Sequence, residues 1–134
     1  MMHHYPVKIL LALSKTFQEE DNQFHVWLLS NGYPELAAFS SAVRGSDEAF
    51  NWLMMNKFFA LAALDGAIDN QMNAKKWLQE FGFELNLKLA GAVNGDTDSI
   101  NWFVTHEMEI FIILAQSIRS FRENQTFDYH KLRF

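Results

Sequence analysis

Every tryptophan in the chain stands 25 residues after the one before it, at Trp27, Trp52, Trp77 and Trp102, and one more step reaches Phe127. Tryptophan is too scarce and too bulky to fall on a fixed interval without a structural cause. A period of this length marks stacked structural units that share a core with their neighbours. The interval predicts an all-α chain, an α-helical solenoid of about five short helix-turn-helix repeats, each 25 residues long.

Other columns keep the same register. A large apolar residue recurs at Phe39, Leu64, Leu89 and Leu114, and a small one at Ala42, Ala67, Ala92 and Ser117. A β-branched residue follows each small one: Val43, Ile68, Val93 and Ile118. Next comes a turn-former, Gly45, Asn70, Gly95 or Ser120, suited to the left-handed backbone that ends a helix. Ser46-Asp47 and Asp96 then offer oxygens to the following helix N-terminus.

The second helix of each unit carries the tryptophan, followed by Leu28, Leu53, Leu78 or Phe103. Gly32 and Gly82 close it in alternate units, with Lys57 and Glu107 in the same column elsewhere. Helices this short are unstable alone and must be held by packing. Residues 36–60, 61–85 and 86–110 read as full units, 1–35 as an N-terminal cap with a partial unit, and 111–134 as a degenerate unit with a C-terminal cap. The structural core is expected at the four tryptophans and at Ala42, Ala67 and Ala92, where small side chains let helices approach. Replacing Trp52 or Trp77 by Ala is then expected to cost about 3–5 kcal/mol.

The columns resemble ankyrin repeats. Gly45 precedes Trp52-Leu53, Gly95 precedes Trp102-Phe103, and Asn70 precedes Trp77-Leu78 and Gly82. Leu36-Ala37-Ala38 and Ala92-Val93 resemble the small-residue first helix of that family. The Thr-Pro-Leu-His motif is absent, and 25 residues leave no room for the β-hairpin finger. The resemblance implies an ankyrin-like helix pair without its hairpin, in a stack that binds another protein.

Composition narrows the function by exclusion. A net charge of -5 with pI near 5.4 opposes nucleic-acid binding, which needs a basic face, and opposes a polybasic membrane anchor. The run Ile110 to Ala115 is far too short to span a bilayer. Ile9 to Leu13 after Lys8 has the look of a signal-peptide core, but it is short, lacks a small-x-small site, and soon meets Gln18-Glu19-Glu20-Asp21. An amphipathic first helix is expected there, and with no cysteine a cytoplasmic location fits.

No phosphate loop or nucleophile elbow is visible, and no cofactor is expected. His106 with Glu107 and Glu109 is a poor metal set, since the i, i+3 spacing supplies too few converging ligands; a helix-end histidine is the plainer reading. Asp65 and Asp69 are spaced i, i+4, so their carboxylates share a helix face. Asp69 lies in a turn-facing column with Arg44, Asn94 and Arg119, which favours solvent or an ion pair.

Function is therefore sought in the columns that drift. Asn51, Met55, Lys76, Gln79, Asn101 and Thr105 are expected to face outward on the second helices, and Ser40, Ser41, Asp65, Lys88 and Gln116 on the first. Met54 with Phe58 and Phe59 suits a core, with Met55 the exposed member. A non-enzymatic interaction or scaffold module fits best, binding a partner protein through a solenoid face. The alternative is a small hydrolase-like or ligand-binding protein with a groove around Asp65, Asp69 and His106.

The ends of a solenoid need covering. Phe127, Tyr129, Leu132 and Phe134 would fold back as a cap; failing that, the face at Ile112 and Ile113 would pair two copies as a homodimer.

Overall fold

The computed structural model describes residues 2–133, with side chains described through residue 125. A 3-10 turn at Met2–His4 leads into α1 (Val7–Thr16), α2 (Gln23–Ser30), α3 (Pro34–Val43), α4 (Asp47–Met55), α5 (Phe59–Ile68), α6 (Met72–Glu80), α7 (Glu84–Val93), α8 (Thr97–Thr105) and α9 (Glu109–Arg133). The described residues form no strand. None of their helices is long and apolar enough to cross a membrane.

Local chemistry sets the helix ends. Gly32, Gly82, Lys57 and Glu107 close the tryptophan-bearing helices with positive φ, and Gly45, Asn70 and Gly95 do the same for the others. The glycines adopt this backbone at little steric cost, whereas Lys57 (φ 65) and Glu107 (φ 57) carry a Cβ into it. Ser46 accepts a hydrogen bond from the Ala49 N–H at 3.1 Å, and Asp96 accepts one from the Ser99 N–H at 3.1 Å. Both are side-chain caps on otherwise orphaned donors.

The helices form two layers. In the inner layer, α1 packs on α3, α3 on α5, α5 on α7, and α7 on α9. The long helix α9 then returns to pack against α1, so the inner layer closes into a ring. In the outer layer, α2 bridges α1 and α3, α4 bridges α3 and α5, α6 bridges α5 and α7, and α8 bridges α7 and α9.

The inner helices contribute one continuous core. Leu10, Leu13, Leu36, Phe39, Leu64, Ile68, Leu89, Val93, Leu114 and Ile118 are buried in it. Small residues set the helix spacing. Ala42, Ala67 and Ala92 are buried, and Gly66 in mid-helix lies where an added Cβ would come within 2.8 Å of Ala74 on α6. That close approach explains a glycine inside a helix, where its backbone entropy is unfavourable.

Closure changes what happens at the ends. The apolar face of α9, with Phe111, Leu114, Ala115 and Ile118, packs against α1 and α7. Hydroxyls line the seam. Ser14 on α1 shares a hydrogen bond with Ser117 on α9 at 2.6 Å, and Gln18 donates to the same Ser117 oxygen at 2.8 Å; at the neighbouring α1–α3 junction Thr16 pairs with Ser40 at 2.8 Å.

Ser40 is thus buried, not outward, because its hydroxyl is the partner of Thr16. The α9 backbone continues as one helix to Arg133. The side chains of the expected cap, Phe127, Tyr129, Leu132 and Phe134, lie outside the described residues. Ile112 is half-buried and Ile113 exposed.

Candidate functional site: an aromatic rim at one end of the ring

The tryptophans do not sit at the centre of the core. Trp27, Trp77 and Trp102 are half-buried against its edge, and Trp52 is 36% exposed. The fully buried residue of each outer helix is the next one, Leu28, Leu53, Leu78 or Phe103. The physical reason is the indole N–H, which needs a partner when buried and in the described structure has none from the protein. At the edge of the core, water serves it while the ring stacks.

The stacking partner lies six residues on. Trp52 stacks on Phe58, with centroids 5.8 Å apart and planes 8° from parallel, and Trp77 stacks on Phe83 at 5.5 Å and 6°. Trp102 instead stacks on His106 at 4.0 Å. The His106 ring also bonds the Trp102 carbonyl through Nδ1 at 2.7 Å, as the Asn31 and Asn56 amides bond those of Trp27 and Trp52. His106 is thereby a helix-end residue turned back on its own helix. Among the described residues no three His, Cys, Asp or Glu side chains are grouped to hold a metal ion.

Around Trp77 the aromatic residues gather into a site. Phe81 approaches it at 4.7 Å and Phe59 at 6.5 Å, edge to face. Phe59 and Trp77, together with Phe58, Phe83, Leu61 and the N-terminal turn, line a cavity of about 470 Å³, and Phe81 packs on Trp77 outside that lining. Tyr5 fastens that turn: its hydroxyl donates to the Glu35 carboxylate at 2.8 Å, and its ring meets Tyr33 at 5.9 Å. Burial, then the Glu35 bond, holds the Tyr5 phenol far above its ordinary pKa, so it remains a donor.

His4, Lys57 and Asn86 relieve the apolar lining. Lys57 brings an ammonium to the exposed edge. Asn86, buried in a column otherwise occupied by Leu36, Leu61 and Phe111, donates through Nδ2 to the Ala60 carbonyl at 3.1 Å. Its amide oxygen takes no donor among the described residues and is not sealed from the cavity. Such a site offers an apolar slot with an amide acceptor, a cation and the His4 imidazole on its lining.

The outward residues on the second helices fall on its surroundings and beyond. Asn51, Met55, Lys76, Gln79, Asn101 and Thr105 are all exposed. Met55 is 83% exposed and ends α4 two residues before Lys57. Met54 and Phe59 are exposed as well, because Leu53 already fills the inward position of that turn, so of the expected Met–Phe core only Phe58 packs against the interior. Sequence reasoning missed the aromatic column at Tyr33, Phe58 and Phe83; its signal is the same 25-residue interval, six places after each tryptophan.

The carboxylate pair lies elsewhere. Asp69 forms an ion pair with Arg122 at 2.6 Å, more than three turns into α9 and so about 20 Å from the helix start beside His106. The structure therefore does not bring Asp65, Asp69 and His106 into one groove. Asp65 is half-buried, and its pKa is pushed up to about 6 by burial and by the neighbouring Asp69 charge, against the pull of Arg122.

No protein-family model, curated protein or solved structure matches this chain.

Proposed function

We propose that the chain is a non-enzymatic, helical-repeat interaction module of about five trimmed, ankyrin-like helix pairs. It binds a partner protein by receiving a bulky apolar side chain in the Trp77 cavity. The observation that carries this reading is where the drifting columns turn apolar. Phe81 is 62% exposed at the position of Asn31, Asn56 and His106, and Met55 is exposed at the position of Ser30, Glu80 and Thr105.

Phe81 packs on Trp77 as His106 does on Trp102, yet 62% of it stays in water, and Met55 is 83% exposed where the sister positions are polar. Exposed aromatics and methionine beside a preformed slot favour recognition of an apolar anchor. The Asn86 oxygen and the Lys57 ammonium would orient the backbone or a polar neighbour of that anchor.

A peptide library displayed on phage and selected against the whole chain tests the reading, with the Phe81→Glu variant as counter-target. Selected peptides should share a bulky apolar residue, should change the tryptophan fluorescence, and should lose at least about tenfold in affinity against Phe81→Glu. Peptides that bind both proteins equally, or no enrichment at all, would remove the rim as the binding site.

A further inference from the structure

We propose that the groove between α9 and α1 is a second docking site, which accepts one amphipathic helix from another protein as the missing outer helix of the ring. The inner layer has five helix–helix junctions, and four are bridged by α2, α4, α6 and α8. Among the described residues nothing bridges the fifth, where α9 meets α1.

The surface there has the chemistry of an uncovered junction. The outward face of α1 exposes Val7 (58%) and Leu11, and that of α9 exposes Ile113 (44%). The Ser14–Ser117 bond sets the two parallel helices in register, so Leu11 and Ile113 lie at the same level, about one turn before it. Ile113 occupies the place of Ala38, Ala63 and Lys88 on the sister helices.

The cavities along the inner helices tell the same story. Over α3 a cavity of about 310 Å³ is walled by α2 on one side and α4 on the other, and over α7 one of about 340 Å³ is walled by α6 and α8. Over α1 the corresponding cavity is about 520 Å³ and has only α2, through Phe24 and Trp27, as a wall.

Residues 120–134 depart from the pattern that would build the absent wall. Ser120 stands where Gly45, Asn70 and Gly95 turn the chain with positive φ, and α9 runs straight through it. One residue after Phe127 comes Asp128, in the column where Leu28, Leu53, Leu78 and Phe103 are fully buried. Burying a carboxylate in that column is costly.

The guest is defined by its four counterparts and by the rim. It is a helix of two to three turns with an aromatic residue followed by Leu or Phe on its inner face. Lys8 and Lys15 line the α1 side, so the guest carries acidic residues along that edge, with Glu109 the acid on the α9 side.

A hydrocarbon-stapled, fluorescein-labelled peptide with the sequence of residues 46–56, acidic in its first turn and centred on Trp-Leu, is a suitable probe. Anisotropy titration into the intact chain should show saturable binding. It should weaken at least about tenfold in Leu11→Asp and in Ile113→Asp, both exposed positions that leave the circular dichroism unchanged, and severalfold in Lys15→Glu. The Met55→Asp variant, altered on another face, should bind as the parent does. Absent binding, or equal binding to the Leu11 and Ile113 variants, overturns the proposal. So does light scattering that shows a dimer dissociated by Leu11→Asp, since the occupant would then be a second copy.

Discussion

Trp52 and Leu53 are adjacent in the chain, yet their replacement by Ala separates the two ways of placing the 25-residue period in space. Leu53 is fully buried, so Leu53→Ala removes about three buried carbon groups and leaves a cavity that the ring closes only in part. The expected loss is about 3–4 kcal/mol. Trp52 leaves 36% of its surface in water and spends its inner face on one stacked ring, Phe58. Scaling the usual tryptophan truncation for that exposure, and noting that no protein hydrogen bond is lost, gives about 1–2 kcal/mol. Urea unfolding followed by far-ultraviolet circular dichroism measures both. With an unchanged slope, each midpoint converts directly to a free-energy difference. A domain of this size holds about 5–15 kcal/mol in total, so the Leu53 variant should show a visibly early transition. If Trp52→Ala proved equally or more damaging, the tryptophan would be a core residue after all and the edge-of-core geometry would be refuted.

The remaining predictions probe the seam and the carboxylates. Ser117→Ala should lose about 1–2 kcal/mol, because Ser14 and Gln18 both surrender a partner, whereas the double change with Ser14→Ala should recover part of it; a double-mutant cycle in urea with no coupling would contradict closure between α1 and α9. Asp65→Asn should be stabilising at pH 7 and neutral at pH 4. A carboxyl raised in the folded state from 3.8 to about 6 binds its proton more tightly there, so the parent loses stability as pH rises from about 4 to 6 and keeps that deficit above. The rise corresponds to at most about 3 kcal/mol, and partial solvent access reduces it to about 1–2. Melting temperatures of the two proteins across pH 4 to 8 should diverge through that window; parallel curves would show that Asp65 is not held in a costly charged state.

What could be read from the sequence, and what could not, follows from the reach of each interaction. Helix ends are local, so Gly45, Gly95, Ser46 and Asp96 announced them, and the structure places a positive φ or a cap at each. Close approach between neighbouring helices leaves a trace as small residues at a fixed interval, hence Ala42, Ala67 and Ala92. Depth leaves none. A 25-residue interval says that tryptophan recurs in one environment but not whether that environment is a centre or an edge, and the stacked partner at Phe58 or Phe83 decides it. Met54 lies at the surface beside the expected exposed Met55 for a related reason: hydrophobicity describes a residue, while burial depends on whether Leu53 has already taken the inward position. The rim at Trp77 was accordingly hidden among residues that looked like packing.

Ring closure is the feature with the longest reach, and a single residue in the small column carried its mark. Three of the four small-column residues are alanine, and the fourth is Ser117. Read along the chain, Ser117 is a conservative drift. Read across the seam, it is the hydroxyl that meets Ser14 and Gln18, and it is needed only there, because only at the seam does an inner helix face one from the opposite end of the chain. The other junctions are made between consecutive units, where small apolar residues set the approach and polar bonds such as Thr16–Ser40 and Asn86–Ala60 add to it. The seam joins unlike partners and must also specify which two helices meet, a task for which a satisfied buried polar pair is suited. Among the described residues the same asymmetry leaves the fifth junction without an outer helix. The helix pair that would supply it would have to turn at Ser120 and bury Asp128, and α9 continues instead. The departures from the period that matter most are therefore the ones at its end, where the repeat closes the ring and leaves one groove open.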